Sequence, residues 1–123
     1  MKYLINTPYI SKLEKKYVND VLRSGWLSIN GTHTKIFEKK FNKFLSTKFT
    51  LAVQSGTAAL HLSCLALGLN KDDVLWTVPN SFVASANCAH YCGAQVDFVD
   101  IEPDTGLMSI GALSEKLQVA EKN

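Results

Sequence analysis

Residues 53–60 read VQSGTAAL. The apolar run Phe49–Val53 leads into Ser55-Gly56-Thr57, and residues 58–69, AALHLSCLALGL, follow at once. Phe49 to Val53 has the composition of a short buried strand, and Ala58 to Leu67 reads as a helix that Gly68 ends. Between them sits a tight turn whose central residue has no Cβ, so a ligand can approach its backbone closely. At a helix start the amides of Gly56, Thr57 and Ala58 lack intrahelical acceptors. The helix dipole favours negative charge there, and the hydroxyls of Ser55 and Thr57 add donors. Two readings stand: a cradle for a phosphate, or a plain strand-to-helix turn capped by Ser55 or Thr57.

Downstream the same alternation recurs. Val74–Val78 reads as a second strand closed by Pro79. Ser81 is placed to cap a helix from about Phe82 to Tyr91, ended near Gly93. Ala94–Val99 reads as a third strand, and Ser109 as the cap of a last helix, Ile110 to about Ala120. Strands alternating with helices imply crossover connections and a mainly parallel sheet, which binds ligands at the carboxyl ends of its strands. Two of those ends carry the most unusual turns of the chain, Ser55-Gly56-Thr57 and Pro79-Asn80-Ser81-Phe82. Phe82 is either a core side chain or a ring able to stack on a planar group held by the first turn.

Upstream, residues 1–10 read as an extended arm. Ser11-Lys12-Leu13-Glu14 has the form of a capping box, and Leu13, Tyr17, Val18, Val21 and Leu22 repeat with helical spacing until Gly25. A loop from Trp26 to Thr34 precedes a second amphipathic helix with Phe37, Phe41, Phe44 and Leu45 on its inner face. The length suits one domain, but three strands make a thin core for so many apolar residues. The chain therefore reads as the front part of a larger fold.

Composition excludes several classes of function. A formal net charge of +2 is too small to argue for nucleic acid or an anionic membrane surface. No apolar run is long enough for a signal peptide core or a bilayer span. Cys64, Cys88 and Cys92 form an odd set without a repeated Cys-x-x-Cys pattern, and His90 points away from the face Cys88 and Cys92 share, so no metal is expected. Buried reduced thiols fit a cytoplasmic protein.

These residues carry a resemblance. FTLAVQSGTAALHLSCLALGL (49–69), WTVPNSFVASANCAHYCGAQVDFVDIEPDTGLMSIGALSEKL (76–117) and SGWLSINGTHTKIFEKKF (24–41) resemble the DegT/StrS class of pyridoxal-phosphate-dependent nucleotide-sugar aminotransferases. The stretch from Trp76 to Ala94 is most similar to enzymes that aminate a UDP-linked 4-keto-6-deoxy-N-acetylhexosamine on the route to pseudaminic acid. SGWLSING is equally similar to perosamine synthases. The resemblance implies the amino-terminal part of the aspartate aminotransferase fold, an α/β fold with a mainly parallel sheet and covering helices. Residues 1–35 would then form the arm, first helix and loop, and residues 36–123 a partial cofactor-binding large domain.

The resemblance also implies roles. Ser55, Gly56 and Thr57 would hold the phosphate of pyridoxal phosphate, and Phe82 would stack on its pyridine ring. Gly25, Trp26, Leu27 and Ser28 match a loop near the substrate cleft. The usual Gly-Asp-Glu before the second strand is replaced here by Asp72-Asp73-Val74. Family members are homodimers that pass an amino group from an amino acid, glutamate above all, to a nucleotide-linked keto-deoxysugar. The lysine that anchors the cofactor, its preceding serine and the aspartate that pairs with the pyridine nitrogen lie beyond Asn123, so no catalytic residue is assigned and the chain alone is expected not to turn over. The alternatives to a catalytic fragment are a non-catalytic remnant, a phosphate-binding or assembly module, and one half of a split enzyme.

Overall fold

Capping chemistry sets most element boundaries. In the computed structural model residues 6–29 and 31–121 are described; residues 1–5 of the arm with Lys2, Asn30 of the first loop, and Lys122 of the polar tail lie outside them. The chain divides into two compact units, one through Ala52 and one from Val53.

The first unit holds two helices. Helix α1 (Lys12–Ser24) begins at the expected capping box: Ser11 Oγ accepts from the Leu13 amide while the Glu14 carboxylate takes the Ser11 amide and hydroxyl. These bonds, that of the Ser11 hydroxyl first, hold the Glu14 carboxyl below its ordinary value. Gly25 ends the helix in the left-handed region, at φ 68°, where a side chain would be strained. Helix α2 (Thr32–Leu45) starts inside the stretch read as loop and has no side-chain cap. Its exit is fastened by Asn42, whose Oδ1 accepts from Thr47 and Thr50, and by Glu38, which accepts the Ala52 amide at 3.0 Å. The helical periodicity is as expected, but the apolar stripes are not covered. No residue of α1 or α2 is buried, and Phe44, expected on an inner face, is 82 % exposed.

The second unit carries α3 (Gly56–Ala66), β1 (Val74–Thr77), α4 (Ala84–Tyr91), β2 (Gln95–Phe98) and α5 (Ile110–Ala120). Strands β1 and β2 are parallel, with Val74 opposite Gln95 and Thr77 opposite Phe98, and α4 forms the crossover and packs on both. Helix α3 packs on α4. The buried set is small-chained: Cys64 of α3, Ala84, Cys88 and Ala89 of α4, Ala94, and Val99 just past β2. Alanines and cysteines let α4 lie close to its neighbours, and Val99 fills the remaining space. Gly68 and Gly93, both at φ 80°, end α3 and α4 in the expected places. Ser109 caps α5 by accepting the Ala112 amide at 3.3 Å.

Two expectations are corrected. Phe49–Val53 is not a strand: it has extended-type residues but no strand to pair with among the described residues, and Phe49 and Leu51 stay exposed. Two strands therefore form among the described residues where three were expected. Ser81 is not a cap either. Val83 already has helical angles and begins α4 without a side-chain bond, which places Ser81 too far upstream, and its hydroxyl pairs with that of Ser85 at 2.9 Å.

Candidate functional site

Helix α3 starts where Ser55, in extended conformation, turns its Oγ onto the Ala58 amide at 3.1 Å, while its carbonyl accepts the Ala59 amide at 3.0 Å. One of the three amides expected to face an anion is thus satisfied within the protein. The other two, of Gly56 and Thr57, meet no acceptor among the described residues, nor does the Thr57 hydroxyl have a partner there. A Cβ built on Gly56 would meet nothing within 4 Å, so no neighbouring atom crowds this residue on its Cβ side. The cap bond also fixes the helix start, so the two free N–H groups are held in place before any ligand arrives. A phosphate fits this donor set: two fixed amides, one hydroxyl, and the positive end of an eleven-residue helix.

Phe82 lies in the turn that leads from β1 to α4. Its ring is 76 % exposed, which excludes the reading as a core side chain, and it stacks on no aromatic ring among the described residues. The neighbouring Asn80 sets its Nδ2 3.7 Å from where a Cβ on Gly106 would sit, so the turn after β1 rests against the turn after β2. That second turn is closed by an isolated bridge between Ile101 and Met108 and by the Gly106 amide donating to the Glu102 carbonyl at 2.8 Å.

Two contacts join α3 to α4 behind the phosphate turn. His61 and Tyr91 meet edge to face at 5.2 Å, and the thiols of Cys64 and Cys88 lie together. Burial, with Cys88 beside it, pushes the Cys64 thiol up to about 11, so it stays protonated and inert at neutral pH. Cys88 donates to the Ser85 carbonyl at 3.3 Å. No group of three or more His, Cys, Asp or Glu suited to a metal ion occurs among the described residues.

In the first unit, Trp26, Leu27 and Ser28 line an open cleft of about 820 Å³ together with Thr32, His33 and Lys35 at the start of α2, while Gly25 is not among its lining residues. Its shape depends on Trp26. The indole Nε1 donates to the Ile29 carbonyl at 3.3 Å, and Cδ1 sits 3.3 Å from where a Gly31 Cβ would be, so a side chain at position 31 would press on the ring. Ser24 ties the helix end to this loop, donating to the Val21 carbonyl and accepting the Trp26 amide. The cleft lies within the first unit, the phosphate turn and Phe82 within the second.

One cluster was not legible in the sequence. Lys116, a lysine of α5, donates to the Phe98 carbonyl and to Asp97 Oδ2, both at 2.6 Å, and lies over the Trp76 ring. Its hydrogen bond to Asp97, joined by one from the Phe98 amide, holds that carboxyl below the usual carboxylate value. The partners are 19 positions apart, and no local periodicity pairs them.

Comparison with known proteins matches residues 8–122 to the profile of the DegT/DnrJ/EryC1/StrS aminotransferase family. GDP-perosamine synthase of Escherichia coli O157:H7 is 36 % identical over 118 residues, which are 95 % of this chain and 32 % of that protein. EpsN of Bacillus subtilis, described as a pyridoxal phosphate-dependent aminotransferase, is 35 % identical over 122 residues, 99 % of this chain and 31 % of the relative. Among solved structures, the apo form of Spr1654 from Streptococcus pneumoniae, described as a sugar aminotransferase, superposes with a TM-score of 0.84 at 30 % identity, covering 94 % of this chain and 29 % of that one. The same pneumococcal protein is also known in forms with pyridoxal phosphate and pyridoxamine phosphate. The chain thus spans about a third of the length of the relatives it matches. No helix among the described residues is long and apolar enough to cross a membrane.

Proposed function

The chain belongs to the DegT/DnrJ/EryC1/StrS aminotransferase family, whose cofactor is pyridoxal phosphate, and from that premise we propose that it is the part of a nucleotide-sugar aminotransferase that grips the cofactor's phosphate and faces its ring. The observation that carries the reading is the pair of unpartnered amides of Gly56 and Thr57 at a helix start already fixed by Ser55.

Each residue has a separate task. The Gly56 and Thr57 amides and the Thr57 hydroxyl donate to phosphate oxygens. Ser55 holds the helix start through its bond to Ala58, and its own proton remains free to donate. Phe82, already exposed, covers one face of the pyridine ring and keeps water from it. When bound, pyridoxal phosphate supplies the electron sink through which an amino group passes from an amino acid to a keto carbon. Lys116 is engaged with Asp97 and Phe98, and every other lysine among the described residues is exposed. None is held as a desolvated amine, so this chain by itself binds the cofactor and does not turn over.

The acceptor is a nucleotide-linked keto-deoxysugar, as the product named for the Escherichia coli relative supports, and the Trp76–Ala94 stretch favours the hexosamine branch that leads to pseudaminic acid. Glutamate is the donor. Gly25, Trp26, Leu27 and Ser28 serve the sugar nucleotide, in keeping with the cleft that Trp26, Leu27 and Ser28 border. Residues 1–35 form the arm, helix and loop on the substrate side and residues 36–123 the cofactor part, working in a cytoplasmic homodimer.

The test is calorimetric titration with pyridoxamine phosphate, which carries phosphate and ring but no aldehyde to react with surface lysines. Saturable binding that inorganic phosphate competes away, and that weakens about 2- to 12-fold in Phe82→Ala as expected for one lost ring contact of ~0.5–1.5 kcal/mol, supports the reading. Binding of pyridoxamine as strong as that of its phosphate ester overturns it.

A further inference from the structure

Phe82 has little around it to hold its ring. The residue is 76 % exposed and stacks on no aromatic ring among the described residues. Packing does not choose a direction for the ring, so the backbone from which it leaves has to. Two serines bear on that backbone: Ser81, directly before Phe82, and Ser85, in the first turn of α4.

Ser85 is tied to the chain around Phe82 twice. Its amide donates to the Phe82 carbonyl at 3.0 Å, and its hydroxyl meets that of Ser81 at 2.9 Å. The first bond holds the peptide after Phe82, and the second holds the residue before it. Phe82 thus stands at the crest of the loop 81–85, which two hydroxyls close at its foot. Ser85 is itself a firm support. Its carbonyl accepts the Cys88 thiol at 3.3 Å, and Ala84 and Cys88 of the same helix are buried. A serine ahead of a helix ordinarily bonds an amide of the first turn. Ser81 bonds a side chain instead, and that bond spans Phe82.

We infer that the Ser81–Ser85 hydroxyl pair is a positioning device for Phe82, setting the direction of the ring that covers the cofactor. The inference rests on the reading of Phe82 given above, and the serines act through Phe82, not by contact with the cofactor. Stacking of two flat rings depends on angle and offset. A ring whose backbone is tethered in advance meets the pyridine face without first having to be ordered.

The experiment is a double-mutant cycle read by calorimetry with pyridoxamine phosphate and, separately, with inorganic phosphate. Ser81→Ala removes one hydroxyl from an exposed residue and leaves the phosphate turn untouched. It should weaken pyridoxamine phosphate about 2- to 12-fold, the equivalent of one net hydrogen bond, and no more than Phe82→Ala does. Placed on Phe82→Ala, the same change should weaken nothing further, and inorganic phosphate should bind alike throughout. Ser81→Thr, which keeps the hydroxyl, should match wild type, and Ser85→Ala should copy Ser81→Ala. An equal loss with and without the Phe82 ring, a parallel loss of inorganic phosphate, or no loss where Phe82→Ala shows one overturns the inference. Amide exchange of the unliganded chain separates it from the cofactor reading. In Ser81→Ala the Ser85 amide should exchange about 2- to 12-fold faster, with the Ala58 amide of the phosphate turn unchanged. If wild type binds no pyridoxamine phosphate, or Phe82→Ala binds it equally well, the cofactor reading fails and exchange alone decides: a faster Ser85 amide upholds the positioning role, and an unchanged one overturns it.

Discussion

Replacing Gly56 by proline removes one hydrogen-bond donor from the phosphate turn and almost nothing else. Gly56 is the first residue of α3, the position where proline is best tolerated, because its missing amide has no intrahelical partner and its fixed φ suits the helix. Ser55, at φ −159° and ψ 158°, already holds the extended conformation a residue before proline prefers. A Cβ at position 56 meets nothing within 4 Å, and the cap bond from Ala58 to Ser55 is left alone. Stability should therefore stay level or rise by up to about 1 kcal/mol, as for proline at other compatible sites. Binding should not. A hydrogen bond to a charged group contributes about 1.5–3 kcal/mol, which converts to about 10- to 150-fold weaker affinity for pyridoxamine phosphate. Calorimetry on both proteins, with pyridoxamine as the ligand lacking phosphate, measures this. Unchanged affinity for the phosphate ester in a folded Gly56→Pro protein, or an equal loss for both ligands, refutes the assignment of the Gly56 amide to the phosphate.

Other perturbations test the scaffold. Asp97→Asn breaks the Lys116 ion pair; because the folded Asp97 carboxyl lies below its ordinary value of 3.8, its contribution is present above that value and lost as pH falls through the folded one. The urea midpoint of the variant should trail wild type at neutral pH and meet it in strong acid, and a gap that persists there refutes the pairing. For Cys64 the sign reverses. Its folded value, raised from 9.0 to about 11, makes wild type lose stability as pH climbs through that interval, and Cys64→Ala should flatten this alkaline limb. Val99 is 2 % exposed, so Val99→Ala removes two buried methyl groups and should cost about 2–3 kcal/mol of unfolding free energy, with less than ~1 kcal/mol showing that the site is not core.

What the sequence disclosed was what a few neighbouring residues decide among themselves. Ser11 with Glu14, Ser109 with Ala112, and the left-handed glycines 25, 68 and 93 act within three or four positions, and each stands where its residue type placed it. The phosphate turn is local in the same sense, although its reading required a correction at Ala58, because a serine that caps a helix uses one of the amides it was expected to leave free. What failed was whatever needed a distant partner. Phe49–Val53 has strand composition, but a strand exists only against another, and none pairs with it here. The apolar stripes of α1 and α2 were legible as stripes; their burial was not, since periodicity names a face without naming what covers it.

Lys116 carries this point furthest. By periodicity it is one more lysine on an amphipathic helix, and its aliphatic stem and charge would be as comfortable in water. Its inward turn is intelligible only from the sheet: Phe98 has a carbonyl without a strand beside it, Asp97 has a carboxylate free to take the Phe98 amide, and a lysine reaching across from α5 satisfies both oxygens at 2.6 Å. The same accounting of backbone groups leaves Val74 and Trp76 without such a lysine. Among the described residues the outward groups of Val96 are left bare as well, so the lysine closes one residue of the β2 edge and not the edge as a whole.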